Sequence, residues 1–491
     1  MEKFFKFLNS DRYQYAESEV YLKNNMENQI ATFDVFLRTE KENDYAIIYG
    51  IADVLELIDA LSNTSYEEKK KYLSKVLDNL DLTEYIANMK FTGSIKGLRD
   101  GEIVFSNEPV LTITAPLIQG KILETPILNI LHYQTLAATV TSKIVQAAKD
   151  KDVLFFGSRR TAGFEAVMSI TKAAYLGGCA AHSNLMGEYL YDLKSVGTMT
   201  HGFIQSFGMQ KDAEYKAFDM FIKTYRDKKQ ALIMLIDTYD TLNSGIYSAV
   251  KAFKANKIND EYEGSYGIRI DSGNLEDLSE KCRKILDKNG FYKAKIILTS
   301  GLDEEKIETL IKNKAKVDTF GVGDAIALPK KEISTVYKMA KINKNDVMKI
   351  SDESGKTSLP GNKDLYRVYE NNDFYDVIAL EDERLEDTGN IKKLTIDYIS
   401  DGKKIAENYE LLDLKKAKEY YDSNLMLVRK VYGEKLKIKR EAIENKIKTI
   451  DEMVDEMIKE VIKEELKKRE IVIPNFVPVT KYFNAPDEVE E

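Results

Sequence analysis

The chain has only three histidines in 491 residues, and one of them, His201, sits in GTMTHGFIQSF (Gly197–Phe207), among small and hydroxylic residues with aromatics behind. An imidazole in that setting has room beside it for an anion, although most loop histidines are structural. Arg159 and Arg160 follow the apolar run VLFF in FFGSRR. Adjacent arginines at a strand end can clamp an anion bidentately, or they can be an ordinary surface pair. Asp271, in RIDSGN, is a carboxylate that could hold two vicinal sugar hydroxyls or a metal. Gly321 and Gly323, in FGVGD, would let backbone N–H groups approach a phosphate if a helix follows, or would simply make a tight turn. An arginine pair, a diol-binding carboxylate, a phosphate loop and a histidine on one rim would suit a phosphorylated ribose carrying further anions.

Such a rim needs elements that bring it together. ALIMLID (231–237), YGIRID (266–271), AKIILTS (294–300) and VDTFGVG (317–323) are short apolar runs with the length and composition of buried strands. Between the later ones, LEDLSEKCRKILDKNG puts Leu275, Leu278, Cys282, Ile285 and Leu286 on one helical face and stops at Gly290. Strand alternating with helix predicts βα units and a parallel sheet. Asp237, Asp271, Ser300, Gly321 and Gly323 all fall at the C-terminal ends of these strands, where parallel α/β folds carry their chemistry. Periodicity alone leaves barrel and open sheet undecided. Before this region, helical patterns mix with short strands such as YAIIYG (45–50) and GEIVFSNEPVLTIT (101–114). After it, short strands return, followed by a charged stretch (436–470) whose mixed Lys and Glu predict a solvated helix face.

Composition narrows the class. A net charge of −9, from 72 basic and 81 acidic residues, argues against nucleic acid as the main ligand. Two cysteines far apart, Cys179 and Cys282, predict a reduced protein without a disulfide framework. MEKFFKFLNSDRYQY lacks the apolar core and cleavage site of a secretion signal, and no run approaches the ~18 apolar residues of a membrane span. The expectation is a soluble, cytoplasmic protein with no membrane partner.

The motifs, in order, resemble those of the nicotinate phosphoribosyltransferases. DRYQY (11–15) is similar to that family's N-terminal Asp-x-Tyr, and the block 108–143 to its Glu-Pro…Ala-Thr segment. FGSRR (156–160), YLGG…SN (175–184), GTMTHGFIQSF, LIDTYDTLNSGI (235–246), IRIDSGNL, SGLDE (300–304), FGVG and KTSLPGNKDLYRVY (356–369) follow in register. The resemblance implies transfer of the phosphoribosyl group of phosphoribosyl pyrophosphate to nicotinate, giving nicotinate mononucleotide and pyrophosphate in NAD biosynthesis and salvage. It implies Mg²⁺ and coupling to ATP hydrolysis through a phosphohistidine.

It also implies a TIM-like, irregular parallel barrel (135–340) between an N-terminal α/β domain (1–134) and a C-terminal α+β or helical region (341–491) that packs back on the first. The assembly would be a homodimer with shared sites. By position, His201 would be phosphorylated and Asp237 would fix its tautomer. Asp271 would hold the ribose hydroxyls, Ser300 and Gly301 would lie near the sugar phosphate, and Gly321 and Gly323 would cradle the 5′-phosphate. Arg159, Arg160 and Arg269 would neutralise pyrophosphate and carboxylate charge, and no residue is assigned as a metal ligand. Phe156 and the partner subunit's Tyr13 would sandwich the pyridine. Ser183 stands where nicotinamide-using relatives carry an Asp, and a hydroxyl suits nicotinate's carboxylate better than a second carboxylate would.

A relative acting on nicotinamide or quinolinate, or a non-catalytic nucleotide-binding relative, is the alternative; a silent relative would be expected to lose His201 or Asp271 first. Gly202, His182 and Asp324 break the family pattern. His182 and His132 are read as structural. Asp324 is expected to cap a following helix, with its side chain turned back onto the amides.

Overall fold

The computed structural model describes residues 7–433, apart from 40–43, 229, 331–332, 351–356, 371–372, 384 and 386–388. The charged stretch 436–470 lies outside the described residues. The chain forms two compact units, Met1–His132 with Glu332–Ala417 and Gly433–Glu491, and Tyr133–Lys331 with Lys418–Tyr432.

In the first unit, β1 (Ile30–Thr39) and β2 (Tyr45–Ile47) are followed by three short helices and then by β3 (Ser94–Gly97), β4 (Ile103–Phe105) and β5 (Pro109–Pro116). β1 is buried almost along its length because it is central, pairing antiparallel with β5 on one side. Its other neighbour comes from far along the chain and is described below.

The second unit carries β6 (Asp152–Phe155), β7 (Ala181–His182), β8 (Leu232–Leu235), β9 (Tyr266–Ile270), β10 (Lys295–Leu298) and β11 (Thr319–Val322). All pair in parallel, in the order β7-β6-β11-β10-β9-β8. β8 is buried at every position, the signature of a strand covered on both faces. Helices Phe164–Leu176, Ala213–Tyr225, Ile246–Ala255, Leu275–Lys288 and Glu304–Lys312 make the crossovers. Several start on a side chain lying just past a strand end. Asn274 accepts from the Asp277 N–H (3.2 Å), and Asp303 from the Lys306 N–H (3.0 Å). Tyr421, from the returning segment, shares a hydrogen bond of 2.8 Å with Ser142 Oγ.

The mixed α/β class agrees with the sequence reading. The sheet has the cyclic order of a barrel, first strand β6 beside last strand β11, but six strands, and β7 is not paired with β8. It is a curled parallel half-barrel. Beside β7 the vacancy is partly lined by the segment around Ser195, which bridges His182 in parallel.

The chain then returns to the first unit. β12 (Ile333–Ile342) pairs antiparallel with β1, so residues 333–342 supply the neighbour that β1 lacks near its own position. β13 (Asn345–Asp346), β14 (Lys363–Glu370), β15 (Asp373–Leu380), β16 (Ile391–Lys393), β17 (Ile396–Ser400) and β18 (Lys403–Lys404) complete a seven-stranded sheet, β13-β12-β1-β5-β3-β17-β18, and a three-stranded one, β15-β14-β16. Ion pairs are buried in this unit. Arg367 on β14 reaches Glu102 (2.5 Å) and Asp376 (2.7 Å), all three side chains at most 1% exposed, and Lys363 meets Asp34 at 2.5 Å.

Candidate active site

His201 opens the short helix His201–Gln205, whose start is fixed by Thr200 Oγ1 accepting from the Phe203 N–H at 3.2 Å. The segment before it is tied to the sheet. Arg269, on β9, donates through one Nη to Thr198 Oγ1 and through the other to the Met199 carbonyl, both at 3.0 Å. The sequence reading gave Arg269 to substrate charge alone; in the structure its fork holds the histidine loop. Burial pushes the pKa of Arg269 below the usual arginine value, Asp271 and Asp237 oppose that, and Arg159 adds to it.

The ring of His201 lies with Nδ1 3.1 Å from Thr238 Oγ1 and Nε2 3.7 Å from Asp271 Oδ2. Both side chains are 39% exposed, so the edge of the imidazole remains open. Asp237, expected to accept from the ring, does not. Its Oδ2 accepts instead from the Asp271 N–H (3.1 Å) and Ser272 Oγ (2.5 Å), while Oδ1 is buried with no hydrogen-bond partner. The physical reason is direction: Asp237 lies beside the end of β9, and Thr238, one residue on, faces the histidine. Asp271 Oδ1 in turn accepts a short hydrogen bond from Thr299 Oγ1. Thr198, Thr238, Ser272 and Thr299 were not singled out from sequence. Thr238, Ser272 and Thr299 each lie next to a residue that was, and Thr198 three before His201, so the usable signal was a hydroxyl close to a candidate group.

The turn after β8 is unusually constrained. Asp240 accepts from the Leu242 and Asn243 N–H groups (3.0 and 2.8 Å), opening a π-helical turn, Thr241–Gly245. A Cβ on Gly245 would lie 1.8 Å from the Ile236 carbonyl oxygen, so the chain can pass there only as glycine. Single π turns are common at functional sites.

The phosphate-loop candidates pack by close approach. A Cβ on Gly321 would meet Thr299 Cγ2 at 2.5 Å and the Phe156 ring at 2.8 Å, and one on Gly157 would meet the Gly323 carbonyl at 2.5 Å. A Cβ on Gly323 would make only ordinary contact, its nearest neighbour being the Phe156 carbonyl oxygen at 3.8 Å. Ser300 has φ +96° and Gly301 φ +55°, so the β10 end is held in a backbone region that L side chains rarely enter. Lys306 Nζ donates to the Gly301 carbonyl at 2.6 Å.

Asp324 corrects an expectation. Gly323, not Asp324, takes the N-cap position of Asp324–Ala327, and the Asp324 carboxylate pairs with Arg160 Nε at 3.0 Å. An adjacent arginine outcompetes two amides for that carboxylate. Arg159 and Arg160 are both exposed, in the 3₁₀ turn Ser158–Arg160. Ser183 is exposed and its N–H donates to the Phe155 carbonyl (3.1 Å), which puts it beside the β6 end. His182 is buried, accepts from the Asn184 N–H at Nδ1 (3.1 Å), and has its pKa pushed down by burial. A Cβ on Gly202 would come no nearer than 3.7 Å to Thr200 Oγ1, which leaves room for a side chain.

The strand ends therefore bring Phe156, Arg159, Ser183, His201, Asp237, Arg269, Asp271, Ser300, Gly301, Gly321 and Gly323 to one rim of the second unit. Tyr13 belongs to the first unit, on the helix Arg12–Lys23, with Lys121 Nζ 4.9 Å above its ring. Burial and Glu124 raise its hydroxyl pKa to about 12.

Two family models match the chain: the nicotinate phosphoribosyltransferase (NAPRTase) N-terminal domain over residues 8–132, and the nicotinate phosphoribosyltransferase (NAPRTase) family over residues 152–383. The nicotinate phosphoribosyltransferase of Bacillus subtilis is 34% identical over 396 residues, covering 77% of each chain. The chain belongs to the nicotinate phosphoribosyltransferase family. A Mycobacterium tuberculosis nicotinate phosphoribosyltransferase is 31% identical over 409 residues, 82% of this chain and 84% of that one. Among solved structures, human nicotinic acid phosphoribosyltransferase aligns with TM-score 0.71 at 19% identity, over 90% of this chain and 99% of that chain. A nicotinate-nucleotide pyrophosphorylase from Pyrococcus furiosus aligns with TM-score 0.69 at 24% identity, over 89% and 98%. At those identities the two structures speak to the fold.

Proposed function

We infer that this nicotinate phosphoribosyltransferase family member is an enzyme that transfers the phosphoribosyl group of phosphoribosyl pyrophosphate to the ring nitrogen of nicotinate. The observation that carries the reading is the single rim on which His201, Asp271, Arg159 and the glycine loop converge in a chain of this family. The nitrogen lone pair forms the new bond to the anomeric carbon. The bond to pyrophosphate breaks, and its electron pair leaves on the pyrophosphate oxygen. Asp271 orients the ribose hydroxyls, with Thr299 keeping its carboxylate in place. The N–H groups of 321–323 and the 300–301 turn take the 5′-phosphate. Arg159 and Arg160 meet the charge that develops on the leaving group, and preorganised cations there lower the barrier without reorganising. Phe156 offers a face for the pyridine, and Ser183 a donor for its carboxylate.

His201 is read as a phosphate acceptor. Its exposed ring edge faces solvent, Thr238 orients Nδ1, and phosphorylation by ATP would tie nucleotide hydrolysis to an otherwise unfavourable transfer. Among the described residues no group of three or more His, Cys, Asp or Glu side chains could hold a metal ion. One orphaned carboxylate oxygen, Asp237 Oδ1, does suit Mg²⁺, which takes one or two protein carboxylates and completes its shell with substrate phosphates and water. Mg²⁺ bound there would supply charge neutralisation for the pyrophosphate. The cyclic strand order supports reading the half-barrel as an irregular TIM-like barrel. We further propose a cytoplasmic homodimer in which the partner subunit's Tyr13 closes over the pyridine; no helix among the described residues is long and apolar enough to cross a membrane.

The test is pyrophosphate release with nicotinate, nicotinamide and quinolinate, each with and without ATP. Nicotinate is expected to be used at least about tenfold better than nicotinamide, a difference of ~1.4 kcal/mol; equal turnover rejects the substrate assignment. His201→Ala is expected to abolish nicotinate-stimulated ATP hydrolysis and leave slow ATP-independent transfer. Acid-labile phosphate trapped on that variant would move the acceptor elsewhere.

A further inference from the structure

His182, the residue before Ser183, ends β7 and is 3% exposed. Its backbone is clasped from two directions. Phe155 of β6 is its parallel partner, and its carbonyl accepts from the Val196 N–H at 2.7 Å. The ring is clasped too. A Cβ on Gly187, in the helix Leu185–Tyr191, would lie 2.8 Å from His182 Cε1 and 2.8 Å from Thr171 Cγ2, so the imidazole fills the space beside that glycine.

One hydrogen bond gives this packed ring a direction: the Asn184 N–H donates to Nδ1 at 3.1 Å. A backbone N–H can only donate, so Nδ1 carries a lone pair, and the neutral ring keeps its hydrogen on Nε2. The bond joins a side chain to the N–H two residues on, the pattern with which Asn, Asp, Ser and Thr close a turn on their own backbone. Here a buried imidazole closes it, and the residue enclosed is Ser183. The Ser183 N–H is tied to the Phe155 carbonyl at 3.1 Å. Asn184 is committed in the other direction, its Oδ1 accepting from the Met186 and Gly187 N–H groups at 2.8 and 3.3 Å to start the helix. Ser183 therefore has a fixed backbone on either side and an exposed position. Packing alone would be met by any side chain of suitable size, with no lone pair at Nδ1.

We propose that His182 is a positioning residue for substrate choice: by accepting from the Asn184 N–H, its neutral imidazole closes the turn that aims the Ser183 hydroxyl at nicotinate's carboxylate. The proposal rests on the reading of Ser183 as that carboxylate's donor. It puts a determinant of specificity in the buried layer behind the rim.

The experiment uses the full chain with phosphoribosyl pyrophosphate and ATP, and measures kcat and KM with nicotinate and with nicotinamide. Absence of nucleotide with the wild-type protein would sink the functional reading itself. Given an active wild type, Ser183→Ala checks the premise and should raise the KM for nicotinate at least about tenfold, because a hydrogen bond to a charged group is lost. An unmoved KM there removes the Ser183 reading and the proposal with it. His182→Leu fills similar space without a lone pair. It should raise the KM for nicotinate about fivefold, the worth of one neutral hydrogen bond, and lower the preference over nicotinamide by about the same factor. The KM for phosphoribosyl pyrophosphate should hold within about twofold. His182→Asn, whose side-chain oxygen can accept from the N–H two residues on, should return the KM for nicotinate to within about twofold of wild type. The proposal is overturned if Leu leaves that KM unmoved, if Asn is as impaired as Leu, or if both substrates weaken alike. Should either variant not fold, judged by its thermal melt, His182→Gln decides. Its amide lies one bond further out and cannot close the turn, so a raised KM for nicotinate supports the proposal and a wild-type value overturns it.

Discussion

Thr198→Val probes the clamp on the histidine loop without altering any charge. Valine is close to threonine in shape, so the change removes one of the two hydrogen bonds through which Arg269 holds residues 198–199 and leaves the Met199 carbonyl arm in place. A hydrogen bond to a charged group contributes about 1.5–3 kcal/mol. Arg269 is largely but not wholly buried, so water can replace part of the loss, which argues for the low end. At ~1.4 kcal/mol per factor of ten, the fraction of molecules holding His201 against Thr238 and Asp271 should fall about tenfold. The assay is the ratio of ADP to nicotinate mononucleotide at saturating substrates, with the KM for nicotinate measured alongside. The ratio should fall and KM should hold. Arg269→Lys should repeat the effect, because an ammonium cannot reproduce the fork. An unchanged ratio with a tenfold rise in KM would mean that Arg269 serves the substrate's anion first and that the loop is held by something else.

Asp324→Ala removes the partner of Arg160 in a pair more than half exposed (56% and 62%), so stability should change by less than ~1 kcal/mol, while the KM for phosphoribosyl pyrophosphate stays or falls as Arg160 is released. A tenfold rise in that KM would place the carboxylate on the substrate side. Arg367→Met leaves Glu102 and Asp376 buried without their cation and should cost about 3–5 kcal/mol, read from denaturant unfolding of the first unit; a loss under ~1 kcal/mol would show that water reaches the pair. Gly245→Ala forces a methyl against the Ile236 carbonyl and should destabilise by about 3 kcal/mol and abolish ATP coupling together, whereas near-normal coupling would show the turn to be pliable. Mixing Tyr13→Ala with Asp271→Ala protein should restore up to about a quarter of sites if subunits share them; no recovery after verified exchange would place Tyr13 in its own subunit's site.

The strand-end groups were legible because a parallel βα arrangement leaves few places for a carboxylate or a Gly-x-Gly after an apolar run. Asp237, Asp271, Ser300 and Gly321 follow from that alone. What escaped was decided by tertiary direction. Nothing in LIDTYDT says that Thr238, and not Asp237, turns to the histidine, because that depends on where the end of β9 lies. β7 has two residues and no periodicity to read. Asp324 looked like a helix cap because capping is a local rule, and Arg160, distant in sequence, has no part in local rules. The half-barrel's unpaired seam also has no sequence signal, since it is a pairing that does not occur.

The late arrival of β12 sets a timetable for synthesis. Thr39 of β1 pairs with Ile333 of β12, so one side of β1 stays without its neighbour while residues 133–331 of the second unit are being made. At ~5–20 residues per second that interval is about 15–60 s. During it, a long strand with an almost wholly buried native pattern presents unpaired N–H and C=O groups to solvent, the condition that templates pairing between chains. The second unit carries all six of its strands within its first segment, 133–331, and can assemble its sheet before its second segment, 418–432, is made. The nascent chain thus matures from its middle outward. Its greatest exposure to aggregation comes when the sheet that will carry the site is finished but the N-terminal sheet still waits for β12.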